Sequence, residues 1–189
     1  MIDLVYPATV AVVLKGAGGS PASEMLPVVE QNGIVTAQAS RDYCHSGSKA
    51  LHPVVHMHVL NRSGELYIQH RSETRQLYPL KWDTAVGGHL SYGESVLEAL
   101  FREAGEELGL KDFNPVSIDT YVFESLTEKE FVNVFAVVGD FCPTPDADEV
   151  CEGRYWKISE IEESLGKDIF TPNFEYEYRR IKDKLLALL

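Results

Sequence analysis

The segment at residues 88–110, GHLSYGESVLEALFREAGEELGL, places acidic groups at spacings that could bind a metal ion. At about 100° of rotation per helical residue, Glu103, Glu106 and Glu107 fall within an arc of roughly 100° on one helix face. Carboxylates this close repel one another unless a cation or a neighbouring arginine compensates them, and Arg102 directly precedes Glu103. Hard oxygen ligands of this kind suit Mg²⁺ or Mn²⁺. The pattern therefore predicts a helix that carries a divalent-metal site.

The same segment has a simpler interpretation, a solvated acidic helix face. A separate apolar stripe indicates that the opposite side of the helix packs into a core: Leu97, Leu100, Phe101, Ala104 and Leu108. Gly88, Gly93 and Gly109 favour the metal site over the solvated face. Gly87 and Gly88 allow a tight turn or a close approach of the backbone to a ligand, and Gly109 has the position of a helix C-cap.

The segment resembles the Nudix box, G-x5-E-x7-R-E-U-x-E-E-x-G-U with U aliphatic, at every fixed position, with Ala104 as a small aliphatic residue. Members of that family cleave a diphosphate linked to another group X and use Mg²⁺ or Mn²⁺. The resemblance implies an α/β fold, the α/β/α sandwich with a mixed β-sheet. It also implies these metal ligands or water-activating bases: the Gly87 carbonyl, Glu103, Glu106 and Glu107. Arg102 would orient and neutralise the glutamates, and the loop and helix would be supported by Gly88, Glu94 and Gly109.

Histidines form a second cluster of metal-binding residue types. Four of the six lie between residues 45 and 58, and His89 directly precedes the acidic segment. Even spacing puts His52, His56 and His58 on one strand face, where they could also be ordinary half-buried residues with satisfied hydrogen bonds. Glu128 also alternates onto one face with a second glutamate two residues later. Imidazole together with carboxylate suits zinc or manganese, so the pattern predicts a second metal site.

Over residues 24–189 the order of these residues resembles the type I isopentenyl-diphosphate isomerases, a branch of the same superfamily. In those isomerases one metal is bound at the positions that match His45, His52, His89, Glu128 and Glu130. The diphosphate is held at positions that match Arg71 and Arg75, and a guanidinium suits phosphate oxygens. Aromatic candidates for contacting the substrate, each with core packing as the alternative, are Trp82, Tyr121 and Trp156.

Gly87 is the main departure from the isomerase pattern, because the isomerases have their catalytic cysteine at this position. Without the thiol, the proton shuttle keeps only the partner that matches Glu130. The leading hypothesis is therefore a metal-dependent diphosphate hydrolase, with Glu103 or Glu130 as the base and Arg102 supporting the cluster. The alternatives are isopentenyl-diphosphate isomerisation and a catalytically inactive module that binds a nucleotide or diphosphate.

Composition limits the other classes of function. The 189 residues with 44% hydrophobic content fit one domain at residues 24–189, preceded by an arm and linker at residues 1–23. The net charge of −12 argues against nucleic-acid polymers and anionic membranes as partners, but it does not exclude a small nucleotide substrate. The Nudix resemblance implies a small-molecule diphosphate as the partner. Three cysteines without CxxC spacing favour a reducing compartment, the cytoplasm. Both a monomer and a homodimer remain open.

The remaining elements follow from periodicity and turn residues. An extra N-terminal β-hairpin is predicted around Asn32 and Gly33, and strands are predicted at residues 52–60, 65–70, 117–124 and 131–138. Residues 82–89 lead into the acidic helix. Helices are predicted at residues 159–165 and 173–188, with a polar loop at 140–148. The apolar run at residues 8–14 reads as an extra strand or a loosely attached arm.

Overall fold

A computed structural model describes residues 3–7, 12–14, 23–74, 77–145 and 150–189. Within these residues the chain forms two β-sheets and four α-helices. The predicted α/β class with mixed sheets is confirmed. The arm and linker predicted at residues 1–23 fall largely outside the described part of the chain.

The smaller sheet contains the predicted N-terminal hairpin. Its strand order is β1-β3-β2, with β1 at Val13–Leu14, β2 at Met25–Val29 and β3 at Val35–Ser40. β1 runs parallel to β3, whereas β2 pairs with β3 in the antiparallel direction. The turn between β2 and β3 is closed by Asn32, whose Oδ1 accepts the Ile34 N–H at 3.0 Å, and by Gly33 at φ +84°. The Asn-Gly signal thus identified this hairpin correctly.

The larger sheet has seven strands among the described residues. Its order is β10-β5-β4-β9-β8, with β6 paired to β5 and β7 paired to β4. The strands are β4 Leu51–Leu60, β5 Leu66–Arg71, β6 Trp82–Thr84, β7 Val86–His89, β8 Val116–Glu124, β9 Lys129–Val138 and β10 Val150–Trp156. The helices are α1 Arg41–Cys44, α2 Val96–Leu108, α3 Ile158–Ser164 and α4 Pro172–Leu186.

The chain divides into two compact units. The first unit comprises Met1–Val55, Gly88–Leu100 and Asp119–Asn133. Its core includes two clusters of buried residues: Leu26, Ala39 and Cys44 in one, and Val29, Val35 and Phe131 in the other. The second unit comprises His56–Gly87, Phe101–Ile118 and Val134–Leu189. Its largest fully buried side chains include Met57, Ile68, Phe135, Phe174 and Tyr178.

Strand β10 was not predicted from the sequence, because VCEGRYW has neither alternation nor a hydrophobic run. Pairing with β5 creates it, with Gly153 opposite Gln69 and Tyr155 opposite Tyr67. Gly153 is required there, since a Cβ at this residue would lie 2.0 Å from the hydroxyl oxygen of Tyr67. The segment at residues 82–89, which precedes the acidic helix, forms two strands, β6 and β7, which pair with different neighbours.

Gly109 ends the acidic helix α2 in the left-handed region, at φ +66°. The Leu110 N–H donates to the Ala104 carbonyl at 3.0 Å, and the Gly109 N–H donates to the Gly105 carbonyl at 3.1 Å. The bond from the Gly109 N–H to the Gly105 carbonyl is the 5→1 bond of an αL cap, which places the left-handed residue directly after the helix. No described helix is long and apolar enough to span a membrane.

Two glycine substitutions in this segment should have opposite effects on stability. Gly109→Ala should lower the free energy of unfolding by about 1 kcal/mol or more, because alanine is strained at positive φ. Gly105→Ala, inside the helix, should raise it by about 1 kcal/mol through helix propensity. A Cβ at Gly105 would meet only the Leu110 carbonyl, at 3.8 Å. Urea denaturation of both variants measures the difference, and equal effects of the two would contradict the cap geometry.

Candidate functional site

Glu107 is the most deeply buried of the three clustered glutamates of α2, with 3% of its surface exposed. Its Oε2 accepts two hydrogen bonds, one from the backbone N–H of Gly87 at 3.1 Å and one from Nε2 of Gln69 at 3.4 Å. A buried carboxylate needs such donors, because an unpaired one would be strongly destabilising. The orientation of this carboxylate is therefore fixed by β5 and β7.

The other two glutamates of the cluster share Arg102. Nη1 of Arg102 donates to Glu103 Oε1 at 2.8 Å and to Glu106 Oε2 at 3.1 Å. The Glu103 side chain is 14% exposed, whereas that of Glu106 is 60% exposed. One guanidinium thus partly compensates two carboxylates, as expected for a cluster that would otherwise repel itself.

The turn before α2 is closed by Glu94. Its Oε2 accepts the Ser91 N–H at 3.0 Å, and its own N–H donates to the Ser91 carbonyl at 3.0 Å. Gly88 lies within β7 and is half-buried. The supporting roles predicted for Gly88, Glu94 and Gly109 remain predictions.

The second candidate centre lies wholly in the first unit. Four of its five predicted ligands converge, with all four ligand atoms within 4.8 Å of one another: His45, His52, His89 and Glu128. His45 ends α1, His52 lies in β4, His89 ends β7 and Glu128 directly precedes β9. The Gly47 N–H donates to the Thr127 carbonyl at 2.7 Å, which ties the loop after α1 to the loop before β9.

The distances in this cluster fit a metal ion. His45 Nε2 lies 3.0 Å from His89 Nε2 and 3.3 Å from Glu128 Oε2. Neighbouring ligand atoms of a tetrahedral zinc site, with bonds of about 2.0–2.1 Å, lie about 3.3 Å apart. The rings of His52 and His89 stack with 5.3 Å between their centroids. Two imidazole nitrogens and one carboxylate oxygen are therefore already near ligand spacing.

His52 provides an independent test of the fit. Its ring is fully buried, and its Nδ1 lies 2.9 Å from the Ala50 carbonyl, to which it donates. That bond leaves Nε2 as the acceptor, and this buried nitrogen has no hydrogen-bond partner within the described residues. A metal-binding histidine usually donates its other ring N–H to an acceptor such as a backbone carbonyl, which fixes the tautomer and the orientation of the ring. The donor set therefore fits a cation such as zinc or manganese.

The electrostatic surroundings favour the metal-binding form of these histidines. Burial, with the charges of His52 and Arg41 adding to it, lowers the pKa of His45 to about 4. Burial likewise lowers the pKa of His52. Both rings are therefore neutral at pH 7, and a metal ion binds the neutral imidazole.

Glu130, the fifth predicted ligand, is half-buried in β9 and is not part of the converging group. Among the described residues, the group at metal-ligand spacing consists of the other four. The predicted roles of Glu130 as a ligand and as a base remain predictions.

Arg71 makes structural contacts in the second unit. Its Nε and Nη2 donate to the Leu77 carbonyl at 3.2 and 3.0 Å, and its Nη1 donates to Asp83 Oδ2 at 3.0 Å. A diphosphate bound at Arg71 would compete with these acceptors. Arg75, the other predicted diphosphate ligand, lies outside the described residues.

The predicted aromatic contacts differ in exposure. Trp156 and Tyr121 are buried, at 6% exposure each. Trp82 is half-buried and stacks on His70 with 4.8 Å between ring centroids. The Arg154 guanidinium carbon lies 3.8 Å from the centroid of the Trp156 ring. Substrate binding by these aromatic residues remains a prediction.

The sequence did not reveal a buried polar group in the second unit. Glu177 of α4 is fully buried and bonds to His56 Nδ1 at 2.9 Å and to His58 Nε2 at 2.6 Å. Burial opposes ionisation of Glu177, but the charge and hydrogen bonds of His56 and His58 outweigh it and hold its pKa below the ordinary range. Even spacing predicts that His56 and His58 share one face of their strand. The amphipathic pattern of α4 does not distinguish Glu177 from the exposed polar residues of that helix.

Comparison with known proteins identifies the family. The NUDIX domain matches residues 50–174 of the chain. The chain belongs to the Nudix family. A Nudix relative from Nostoc sp., named an uncharacterized Nudix hydrolase, is 32% identical over 149 residues, which cover 76% of this chain and 86% of the relative. The predicted enzyme class, a Nudix hydrolase acting on diphosphate compounds, is confirmed by this membership.

Two further matches concern the isomerase branch and the fold. An isopentenyl-diphosphate Delta-isomerase from Streptomyces griseus is 27% identical over 164 residues, covering 84% of this chain and 83% of the isomerase. The crystal structure of a Deinococcus radiodurans protein matches the fold with a TM-score of 0.73, 24% identity, and coverage of 84% and 99%. This Nudix protein therefore lies near the isomerase branch.

Proposed function

We propose that the protein is a Mg²⁺- or Mn²⁺-dependent hydrolase. It would cleave the diphosphate linkage of a nucleoside diphosphate joined to another moiety, or of a related organic diphosphate. The main support is the arrangement of Glu107, a buried carboxylate held by the Gly87 N–H and by Gln69 beside two further glutamates. Carboxylate clusters of this kind suit a hard divalent cation.

The residues that would hold the cation are the Gly87 carbonyl, Glu103, Glu106 and Glu107. Bound Mg²⁺ or Mn²⁺ would offset phosphate charge and lower the pKa of a coordinated water. Glu103 or Glu130 would accept the proton of the attacking water, and Arg102 would keep Glu103 oriented. Arg71 and Arg75 would bind the diphosphate of the substrate.

The histidine and glutamate cluster would hold a second metal, zinc or manganese. Support comes from the unpartnered Nε2 of buried His52 and from the spacing of the four ligand atoms. Glu130 would complete the ligand set. The separation of donor types, oxygen in one cluster and mainly nitrogen in the other, favours two different metals.

The proposed domain, partner and compartment are supported by the composition of the chain. Residues 24–189 would form the Nudix domain, and a small-molecule diphosphate would be the partner. The cysteines Cys44, Cys142 and Cys151 are free thiols, which favours the reducing cytoplasm. The net charge of −12 disfavours binding to nucleic-acid polymers or membranes.

A screen of diphosphate compounds with Mg²⁺ would identify the group X. The panel should contain nucleoside diphosphate derivatives, dinucleoside polyphosphates, oxidised nucleotides and isoprenoid diphosphates, with phosphate-bearing products detected by chromatography. Turnover of one class well above the others supports the proposal. Binding without turnover at saturating Mg²⁺ or Mn²⁺ would favour the inactive-module alternative.

Isopentenyl-diphosphate isomerisation is the second candidate, favoured by the His/Glu cluster and opposed by Gly87. Cys44 does not replace the missing thiol, because its side chain is fully buried and burial raises its pKa to about 12. Among the described residues, the neighbour of a Cβ at residue 87 within 4 Å is His56, at 3.6 Å to Cδ2 and 3.7 Å to Nε2, which is ordinary contact. The fold should therefore accept a cysteine there.

Gly87→Cys should produce dimethylallyl diphosphate from isopentenyl diphosphate, whereas the wild type should produce none. The reason is that the thiol supplies the missing acid-base partner. Gly87→Ala is the matched control, since it adds the same Cβ without the thiol and should show no gain. Dimethylallyl diphosphate formation by the wild type would instead favour isomerisation as the native activity.

A further inference from the structure

The carboxylate of Glu177 links α4 to β4 through two buried hydrogen bonds, at 2.9 Å to His56 Nδ1 and at 2.6 Å to His58 Nε2. Glu177 and His58 are completely buried, and the His56 side chain is 11% exposed. Buried ion pairs are weak contributors to stability, and apolar residues of similar volume often replace them without loss. Packing of α4 alone therefore does not explain a carboxylate with two imidazoles at this place.

The ring of His56 lies beside Gly87. A Cβ built on Gly87 would be 3.6 Å from His56 Cδ2 and 3.7 Å from its Nε2. The imidazole therefore lies on the side of β7 toward which a side chain at residue 87 would project. The Glu177 hydrogen bond to Nδ1 fixes the rotation of this ring.

Gly87 also connects this part of the second unit to the acidic helix. Its N–H donates to Glu107 Oε2 at 3.1 Å, and the same oxygen accepts Nε2 of Gln69. Because protein interiors are close-packed, a shift of the His56 ring, which lies 3.6 Å from where a Cβ at residue 87 would stand, would change the packing beside Gly87 and allow its backbone to move. A moved N–H would then change the orientation of the Glu107 carboxylate.

We propose that Glu177 is a positioning residue for the active site, which fixes His56 against Gly87 and thereby fixes the backbone N–H that orients Glu107. The inference rests on the proposed diphosphate hydrolysis and deepens it. Glu177 lies 70 positions beyond Glu107 in the sequence, outside the Nudix box. Glu177 would act on the Glu107 carboxylate through the side chain of His56 and the backbone N–H of Gly87.

Glu177→Gln tests this proposal, because the amide keeps the shape of the side chain and loses the charge. Outer-shell partners of a metal typically affect metal affinity or activity by about tenfold to a hundredfold. We expect kcat to fall and the Mg²⁺ concentration for half-maximal rate to rise by a factor in that range, with KM for the diphosphate unchanged. Asp183→Asn is the matched control, an exposed residue of the same helix with the same change in charge. Wild-type kcat and Mg²⁺ requirement in Glu177→Gln would overturn the proposal.

A double-mutant cycle separates positioning from a general loss of stability. His56→Gln should reduce kcat by a factor similar to that of Glu177→Gln, and the double variant should lose little more than either single variant. Additive losses that follow the melting temperatures of the variants would indicate a structural role and contradict the inference.

Mn²⁺ binding distinguishes failure of this inference from failure of the proposed function. Protein loaded with zinc, so that the histidine cluster is filled, is titrated with Mn²⁺ alone, without substrate. Weaker Mn²⁺ binding by Glu177→Gln than by Asp183→Asn supports the positioning role even if no diphosphate is hydrolysed. Equal Mn²⁺ affinity of both variants and the wild type would overturn it, whatever the outcome for hydrolysis.

Discussion

Replacing Glu107 by glutamine should reduce Mg²⁺-dependent phosphate release by about a hundredfold or more, since even outer-shell partners of a metal contribute tenfold to a hundredfold. The substitution removes a negative charge from the proposed metal cluster without changing the size of the side chain. It also brings an amide to a position where Gly87 N and Gln69 Nε2 both donate to one carboxylate oxygen, at 3.1 and 3.4 Å. Phosphate release measured over a range of Mg²⁺ concentrations gives the effect.

Glu98→Gln is the matched control for this prediction. Glu98 lies in the first turn of the same helix, accepts hydrogen bonds from Ser95 N at 2.9 Å and Ser95 Oγ at 2.7 Å, and is exposed. Glutamine preserves this kind of capping contact, so the control should keep wild-type activity. Full activity in Glu107→Gln would show that Glu107 is not needed for catalysis. It would contradict the proposal that the acidic helix carries the hydrolase site.

Replacing His52 by alanine should abolish tight binding of zinc or manganese at the histidine cluster. The wild type should bind one such ion at this cluster. The variant should bind it more weakly by about a hundredfold or more, since even removing a group that hydrogen-bonds to a metal ligand lowers affinity by up to about that factor. The physical reason is that His52 presents a buried Nε2 without a partner in the described structure, with its other ring nitrogen fixed by Ala50. Elemental analysis and calorimetric titration with Zn²⁺ and Mn²⁺ measure the loss.

His70→Ala is the control for the metal prediction, because His70 lies outside the converging group and stacks on Trp82. It should retain the metal content of the wild type. Absence of bound zinc or manganese in the wild type, together with unchanged activity in His45→Ala, would assign the cluster a structural role as a packed polar network.

The sequence predicted the elements that have strong local signals. The 3.6-residue period located α2, and its glycine marked the helix end, because both depend on backbone geometry within a few residues. The Asn-Gly turn likewise located the β2–β3 hairpin. Three of the six histidines, together with Glu128, converge although they lie in different elements, and the resemblance to the isomerases carried that inference.

Tertiary contacts explain what the sequence did not indicate. Strand β10 exists because it pairs with β5, and its own residues carry no strand pattern. The sequence does not indicate the three hydrogen bonds that Arg71 donates to Leu77 and Asp83, and its predicted role in binding phosphate remains a prediction. Glu177 resembles any other polar residue of an amphipathic helix until the fold brings His56 and His58 to it.

Hydrolysis in ¹⁸O-labelled water tests the central claim most directly. The protein is incubated with Mg²⁺ and the best compound of the diphosphate panel, and the products are analysed by mass spectrometry. Water attack on the diphosphate predicts cleavage that requires Mg²⁺, stops with EDTA, and places one ¹⁸O atom on a phosphorus-bearing product. Products without ¹⁸O on phosphorus, or unchanged bound substrate at saturating Mg²⁺ and Mn²⁺, would contradict diphosphate hydrolysis.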